Sequence, residues 1–254
     1  MKTLRYKIVI QFNGQNYSGW QIQNEPIITV QLKINKALEV IFKQKIKTTG
    51  SGRTDTGVHA KDFHVVFDAP FEIAHPNLVK ALNGNLPGDV RVLSSGYVHS
   101  EFRPTNDAIE KEYRYYFTTE AEGSPFYAHT MSYVKYPLNF DLMQAACNAF
   151  VGEHDFLNFH CVGSEPNSTV RTIRSCELIQ CEAGDMYPEH FYIRIIGDGF
   201  LKQMVRLIVN AVWDVGRARL EVSDIVGALI SKEFKHISAV APANGLIKYK
   251  VLYP

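Results

Sequence analysis

The sequence predicts an α+β protein in which two related α/β halves share a mostly antiparallel sheet, with helices packed on it and an active-site cleft between the halves. Three observations lead there. Stretches that alternate every second residue and stretches with a 3.6-residue period follow one another in similar order in both parts of the chain. No linker rich in Pro, Gly or Ser divides the parts. They are therefore expected to form one integrated catalytic unit, with an N-terminal half of approximately residues 1–105 and a C-terminal half of 106–254. Of the 254 residues, 46% are hydrophobic and 21% charged, which is ample material for a buried core.

The elements read as follows. Residues 4–12, LRYKIVIQF, alternate in character and carry β-branched residues, so they form a strand. Gln31 to Phe42 places Leu32, Ile34, Ala37, Leu38, Ile41 and Phe42 at helical spacing, and His64 to Phe67 returns to strand. Arg91 to His99 and Glu112 to Thr119 are two more strands, the second dense in Tyr and Phe. Phe140 to Val151 reads as a helix introduced by Pro137. Arg174 to Cys181 and His190 to Ile196 form a hairpin-like pair around Ala183-Gly184-Asp185. Phe200 to Val215 has a strong helical period through Leu201, Met204, Val205, Ile208, Val209 and Val212. Ser223 to Ile230 is a further helix with Ser223 as its N-cap, and Lys248 to Tyr253 is the last strand.

Composition removes several function classes. No apolar run approaches the ~18 to 20 residues of a membrane span, and the residues from Met1 lead straight into strand alternation rather than a signal-peptide block, so a cytoplasmic protein is expected. Cys147, Cys161, Cys176 and Cys181 form no Cys-x-x-Cys pair and are expected as free thiols. A zinc site would have to recruit His154, His160 and Cys161, whose spacing matches no familiar ligand pattern, so no metal is expected. A net charge of +1 neither requires nor excludes a nucleic-acid partner. Locally, Lys43, Lys45, Lys47 and Arg53 lie in eleven residues without an acid, which suits either a solvated face or a phosphate contact.

The stretch richest in chemistry is residues 49–60, TGSGRTDTGVHA. Glycines let backbone approach a ligand closely, hydroxyls bond a carboxylate or phosphate, and Arg53 stands two residues before the lone Asp55. Such a loop fits a fixed catalytic carboxylate beside an anionic substrate, or a decorated turn. Asp55-Thr56-Gly57 is also an aspartic-protease signature, and Ile195-Ile196-Gly197 resembles a segment of those enzymes. Here, however, no apolar strand precedes the Asp and no second Asp-Thr/Ser-Gly occurs to share a proton with it.

From this loop outward the chain resembles the tRNA pseudouridine synthase A family. The matching segments, in family order, are Phe12-Asn13-Gly14 through Ser18-Gly19-Trp20-Gln21-Ile22-Gln23; Gly52 to Ala60; and Leu82-Asn83 through Leu86-Pro87-Gly88-Asp89-Val90. They continue through Lys111-Glu112-Tyr113-Arg114-Tyr115, Gly152 to Phe156 with Phe159, and Thr169 to Ile173, and end with Gly199 to Arg206 and Ala241 to Leu246. The resemblance implies isomerisation of uridine to pseudouridine in the anticodon arm of tRNA, at positions 38, 39 and 40, by a homodimer that needs no cofactor.

It also implies roles. Asp55 is the catalytic carboxylate, acting as a nucleophile on ribose C1′ or the uracil ring, or through a glycal route. Arg206 is the ion-pair partner that keeps it charged against desolvation. Tyr113 stacks on the target uracil and helps remove the C5 proton, whereas Tyr115 and Phe117 are core aromatics. Arg53 binds a backbone phosphate near the flipped nucleotide, with His59, Gln21 and Lys202 as weaker RNA contacts. His154-Asp155 is expected to hold a loop in place.

Departures lie at Phe102-Arg103-Pro104-Thr105, where the family usually shows Phe-His-Ala-Arg. Arg103 could supply a substitute guanidinium there. Phe63 stands where Gln is common and Asn210 where Gly is common. A second reading of the same scaffold is a catalytically silent tRNA-binding or tRNA-folding protein.

Overall fold

The computed structural model describes residues 4–24, 26–120, 124–185 and 187–254. Its first elements are β1 (Leu4–Phe12), α1 (Val30–Phe42), β2 (Thr48–Gly50), β3 (His59–Ala69), α2 (His75–Asn85) and β4 (Val90–Tyr97). They are followed by β5 (Glu110–Thr118), β6 (Ser132–Tyr133), α3 (Phe140–Ala149), β7 (Gly152–Asp155), a 3-10 turn at Leu157–Phe159, β8 (Val170–Cys181) and β9 (His190–Gly197). The chain closes with α4 (Met204–Gly216), α5 (Val222–Ile230) and β10 (Leu246–Leu252). The protein is α+β: β1 pairs antiparallel with β3 and β4, as do β2 with β3, β5 with β9, β7 with β8 and β8 with β9, while the short β6 pairs parallel with β5.

Two compact units divide the chain, one of residues 1–109 with 248–254 and one of 110–247. In the first, the strand order is β4-β1-β3-β10, with β2 against β3. The alternation of β1 turns Tyr6, Ile8, Ile10 and Phe12 into the core, where Ile34, Leu38 and Phe42 of α1 join them. Burying each such side chain contributes roughly 1.5–3 kcal/mol. Helix α1 begins one residue before the expected Gln31 because Thr29 Oγ1 accepts a hydrogen bond from the Leu32 amide at 3.3 Å, and it ends at Lys43 in a left-handed cap. Helix α2 is absent from the sequence reading. Asn83 ties it to β4, donating to Val92 O at 2.9 Å and accepting from Val92 N at 2.8 Å.

In the second unit the strand order is β5-β9-β8-β7. The predicted pair around Ala183-Gly184-Asp185 is β8 with β9, and β5 pairs with β9 so that Tyr113 lies opposite Ile195. Two helix starts differ from expectation. Helix α4 begins at Met204 rather than Phe200, because Gln203 is left-handed (φ 64°) and the residues before it cannot continue a right-handed helix. Helix α5 is capped by Glu221, whose backbone N–H donates to Asp224 Oδ2 at 2.8 Å. Ser223 already lies inside the helix and donates its hydroxyl to Glu221 Oε2. Among the described residues no helix is long and apolar enough to cross a membrane.

Candidate active site

The Asp55 loop is held by backbone contacts to an earlier loop of the same unit, residues 13–20. Gly57 N donates to Tyr17 O at 3.2 Å and Trp20 N to Thr54 O at 3.4 Å, while Val58 N closes a turn on Asp55 O at 3.2 Å. Two glycines permit this clasp. A Cβ on Gly19, whose φ is +82°, would sit 2.3 Å from Thr54 O, and one on Gly14 would sit 1.9 Å from Val58 O. The clasp is itself anchored from behind. Tyr17 Oη donates to Asp89 Oδ1 at 2.6 Å, and Asn13 N donates to Asp89 O at 2.9 Å. Burial and the Asp89 carboxylate push the Tyr17 hydroxyl pKa up, so it remains a donor. Asp89 thus fixes the loop that fixes Asp55, a role the sequence marked only as part of a matching segment.

Within this frame Asp55 is half-buried, whereas Arg53 and Gln21 are exposed, along with Lys43, Lys45 and Lys47. That exposure suits the phosphate contact expected of Arg53. His59 is placed otherwise than an RNA contact requires. It is only 3% exposed, and its Nδ1 accepts from Gly14 N at 3.0 Å, so the ring braces the two loops.

The second unit carries the other candidates. Tyr113 is 9% exposed and meets Phe200 edge-on, with ring centroids 5.0 Å apart. Tyr115 is buried in the core, its hydroxyl bonded to Pro242 O and paired with Ser132 Oγ, both at 2.8 Å, and Phe117 is fully buried. Arg206 stands in the first turn of α4. Its Nε donates to Ala241 O at 2.7 Å and its own carbonyl accepts from Ala241 N at 3.2 Å, which fixes the plane of the guanidinium. Lys202 is exposed, just before the left-handed Gln203. Asp155 fastens its loop by accepting from Leu157 N and Thr169 Oγ1 and by pairing with Lys232. The three residues considered for zinc are otherwise engaged, His154 with Val151 O, His160 with Leu157 O and Cys161 with Val162 O.

A family model described as tRNA pseudouridine synthase matches residues 146–254. Proteins named tRNA pseudouridine synthase A match almost end to end. That of Fervidobacterium nodosum is 37% identical over 98% of this chain and 99% of its own length. The corresponding figures are 37%, 98% and 96% for Limosilactobacillus fermentum, and 38%, 98% and 97% for Exiguobacterium sibiricum. The chain belongs to the tRNA pseudouridine synthase A family.

Against that family the three departures acquire structural partners. Phe63 is fully buried against Trp20 (4.5 Å) and Phe12 (5.6 Å). Asn210 donates to Asp214 Oδ2 at 3.0 Å and to Ser238 Oγ at 2.5 Å, so it joins a polar cluster with Asp214. Thr105 donates to Gly50 O at 2.9 Å, beside the start of the Asp55 loop. Arg103 is exposed, and its backbone is closed into a turn by Asp107.

Proposed function

We propose that this member of the tRNA pseudouridine synthase A family isomerises uridine to pseudouridine in the anticodon arm of tRNA, at positions 38, 39 and 40, with Asp55 as the catalytic carboxylate. The observation that carries the reading is the mounting of Asp55, a single acid on a glycine-clasped loop in a chain aligned along 98% of its length with synthases of that name. The reaction breaks the N1 glycosidic bond, rotates the uracil and joins C5 to the same ribose carbon, so one carboxylate held at a fixed point serves every step. Arg206 is its proposed ion-pair partner. Tyr113 stacks on the uracil and assists removal of the C5 proton. Arg53, with Gln21, Lys202 and Arg103, contacts RNA and helps hold the target nucleotide out of its stack. The enzyme works as a cytoplasmic homodimer without a cofactor. Kinship to named synthases and an intact Asp55 favour catalysis over a silent RNA-binding scaffold.

Tritium release from tRNA labelled at uridine C5 tests the reading, because forming the new C–C bond expels that hydrogen. The wild type is expected to release label and Asp55→Ala to release none while still binding tRNA. Release by Asp55→Ala at more than a few per cent of the wild-type rate would sink the assignment.

A further inference from the structure

One buried cation has no part in the chemistry described so far. Lys248, on β10, is fully buried, and its ammonium donates to Ser51 O at 2.6 Å and Ser51 Oγ at 3.0 Å while lying 4.6 Å from the centroid of the Phe63 ring. Ser51 is itself a node. Its amide donates to His64 O at 2.8 Å and its hydroxyl accepts from His64 N at 3.1 Å. Behind it, Asp62 accepts from Val251 N at 2.8 Å and lies 2.9 Å from His64 Nε2. Four residues beyond Ser51 comes Asp55.

Burying a lysine is expensive. The desolvation cost is several kcal/mol, and apolar residues of similar volume commonly replace such charges without loss of stability. A methionine on the face of Phe63 would fill the same space. We propose that Lys248 is a positioning residue for the pseudouridine reaction, a fixed cation that clamps the start of the catalytic loop through Ser51 and so sets where the Asp55 carboxylate stands. This rests on the assignment of Asp55 as catalyst. The clamp acts on the loop's backbone carbonyl, which side-chain changes further along cannot replace, and its grip joins the C-terminal strand to residue 51 across 197 positions of sequence.

The test compares wild type, Lys248→Met, Lys248→Arg and Ser51→Ala in tritium release from C5-labelled tRNA, with circular dichroism to verify folding. Since displacing a catalytic group by an ångström costs up to about a hundredfold, Lys248→Met should lose at least about tenfold in kcat. Its KM for tRNA should stay within about twofold, because the side chain is fully buried. Lys248→Arg, which restores a buried donor cation, should recover part of kcat, and Ser51→Ala, which removes only the hydroxyl arm, should lose about threefold. A folded Lys248→Met with unchanged kcat overturns the proposal. So does a loss shared equally by Lys248→Met and Lys248→Arg, which marks a packing role. Should Lys248→Met fail to fold, Ser51→Ala decides alone, and unchanged kcat there overturns the clamp. A wild type that releases no label removes the assignment of Asp55 as well, whereas an active wild type with an indifferent Lys248 removes the clamp alone.

Discussion

At Gly19 a single methyl group decides whether the Asp55 loop can keep its path. Alanine there would meet Thr54 O at 2.3 Å in a backbone conformation with φ +82° that L-residues rarely adopt. Gly19→Ala is expected to lower kcat by about tenfold or more and to destabilise the protein by roughly 1–3 kcal/mol, read by pseudouridine formation and by urea melts. Unchanged kcat would show that Asp55 does not depend on the clasp. The residues proposed for the chemistry, Asp55, Tyr113 and Arg206, stand out as candidates in the sequence because they sit in segments resembling a family. The residues that hold them were harder to see. Lys248 opens the last expected strand among Lys and Tyr residues, and nothing in the local pattern marks it as a buried donor; the return of β10 to the first unit makes it one. His59 is an RNA contact by the family resemblance, yet it is buried and Gly14 N uses its ring as an acceptor.

Elements were legible in proportion to how cleanly one face is buried. Strand β1 alternates without exception from Tyr6 to Phe12, and its limits agree with those read from sequence. Helix α2 was not seen because only Leu78 and Leu82 are buried on it, and Pro76, Asn83, Gly84 and Asn85 read as turn formers. Strands β2, β6 and β7 are two to four residues long and exist through pairing with distant partners, which no local pattern encodes. On β5, Glu112 is a buried carboxylate held by Arg114 at 2.7 Å and by Arg194 of β9 at 3.2 Å, with Arg194 reaching Glu177 of β8 at 3.3 Å. Burial opposes the charge of Arg114, but its interactions with Glu112 and Tyr116 together outweigh this and raise its pKa. Both guanidiniums are partly solvated, so Glu112→Ala should cost about 1–3 kcal/mol, below the full penalty for a buried pair. Denaturant midpoints of the single variants check this, and a loss below about 0.5 kcal/mol would assign the ladder no structural weight.

For the whole molecule, ionisation sets the pH range of stability. Burial opposes the charge of Asp62, but the His64 contact, the Val251 amide and Lys248 outweigh it and hold its pKa below 3.8. At Asp155 the Thr169 hydroxyl, Lys232 and the Leu157 amide likewise overcome burial. Groups with depressed pKa stabilise the fold above their ordinary value, and this is lost as pH falls through the folded value. Tyr17, Tyr115 and Tyr253 are pushed above their ordinary 10.0, chiefly by burial, so their contribution is complete below pH 10.0 and is lost as pH rises beyond it. The melting temperature should therefore be flat near neutrality, fall below about pH 4 and fall again above about pH 10. A melting temperature that rises on acidification would contradict these directions.

The most direct measurement maps pseudouridine at single-nucleotide resolution in unmodified tRNA transcripts incubated with the wild-type protein and with Asp55→Ala. Pseudouridine at positions 38, 39 or 40 with the wild type only is the predicted result. Pseudouridine from the Asp55→Ala protein, or none from the wild type on any tRNA, would contradict it.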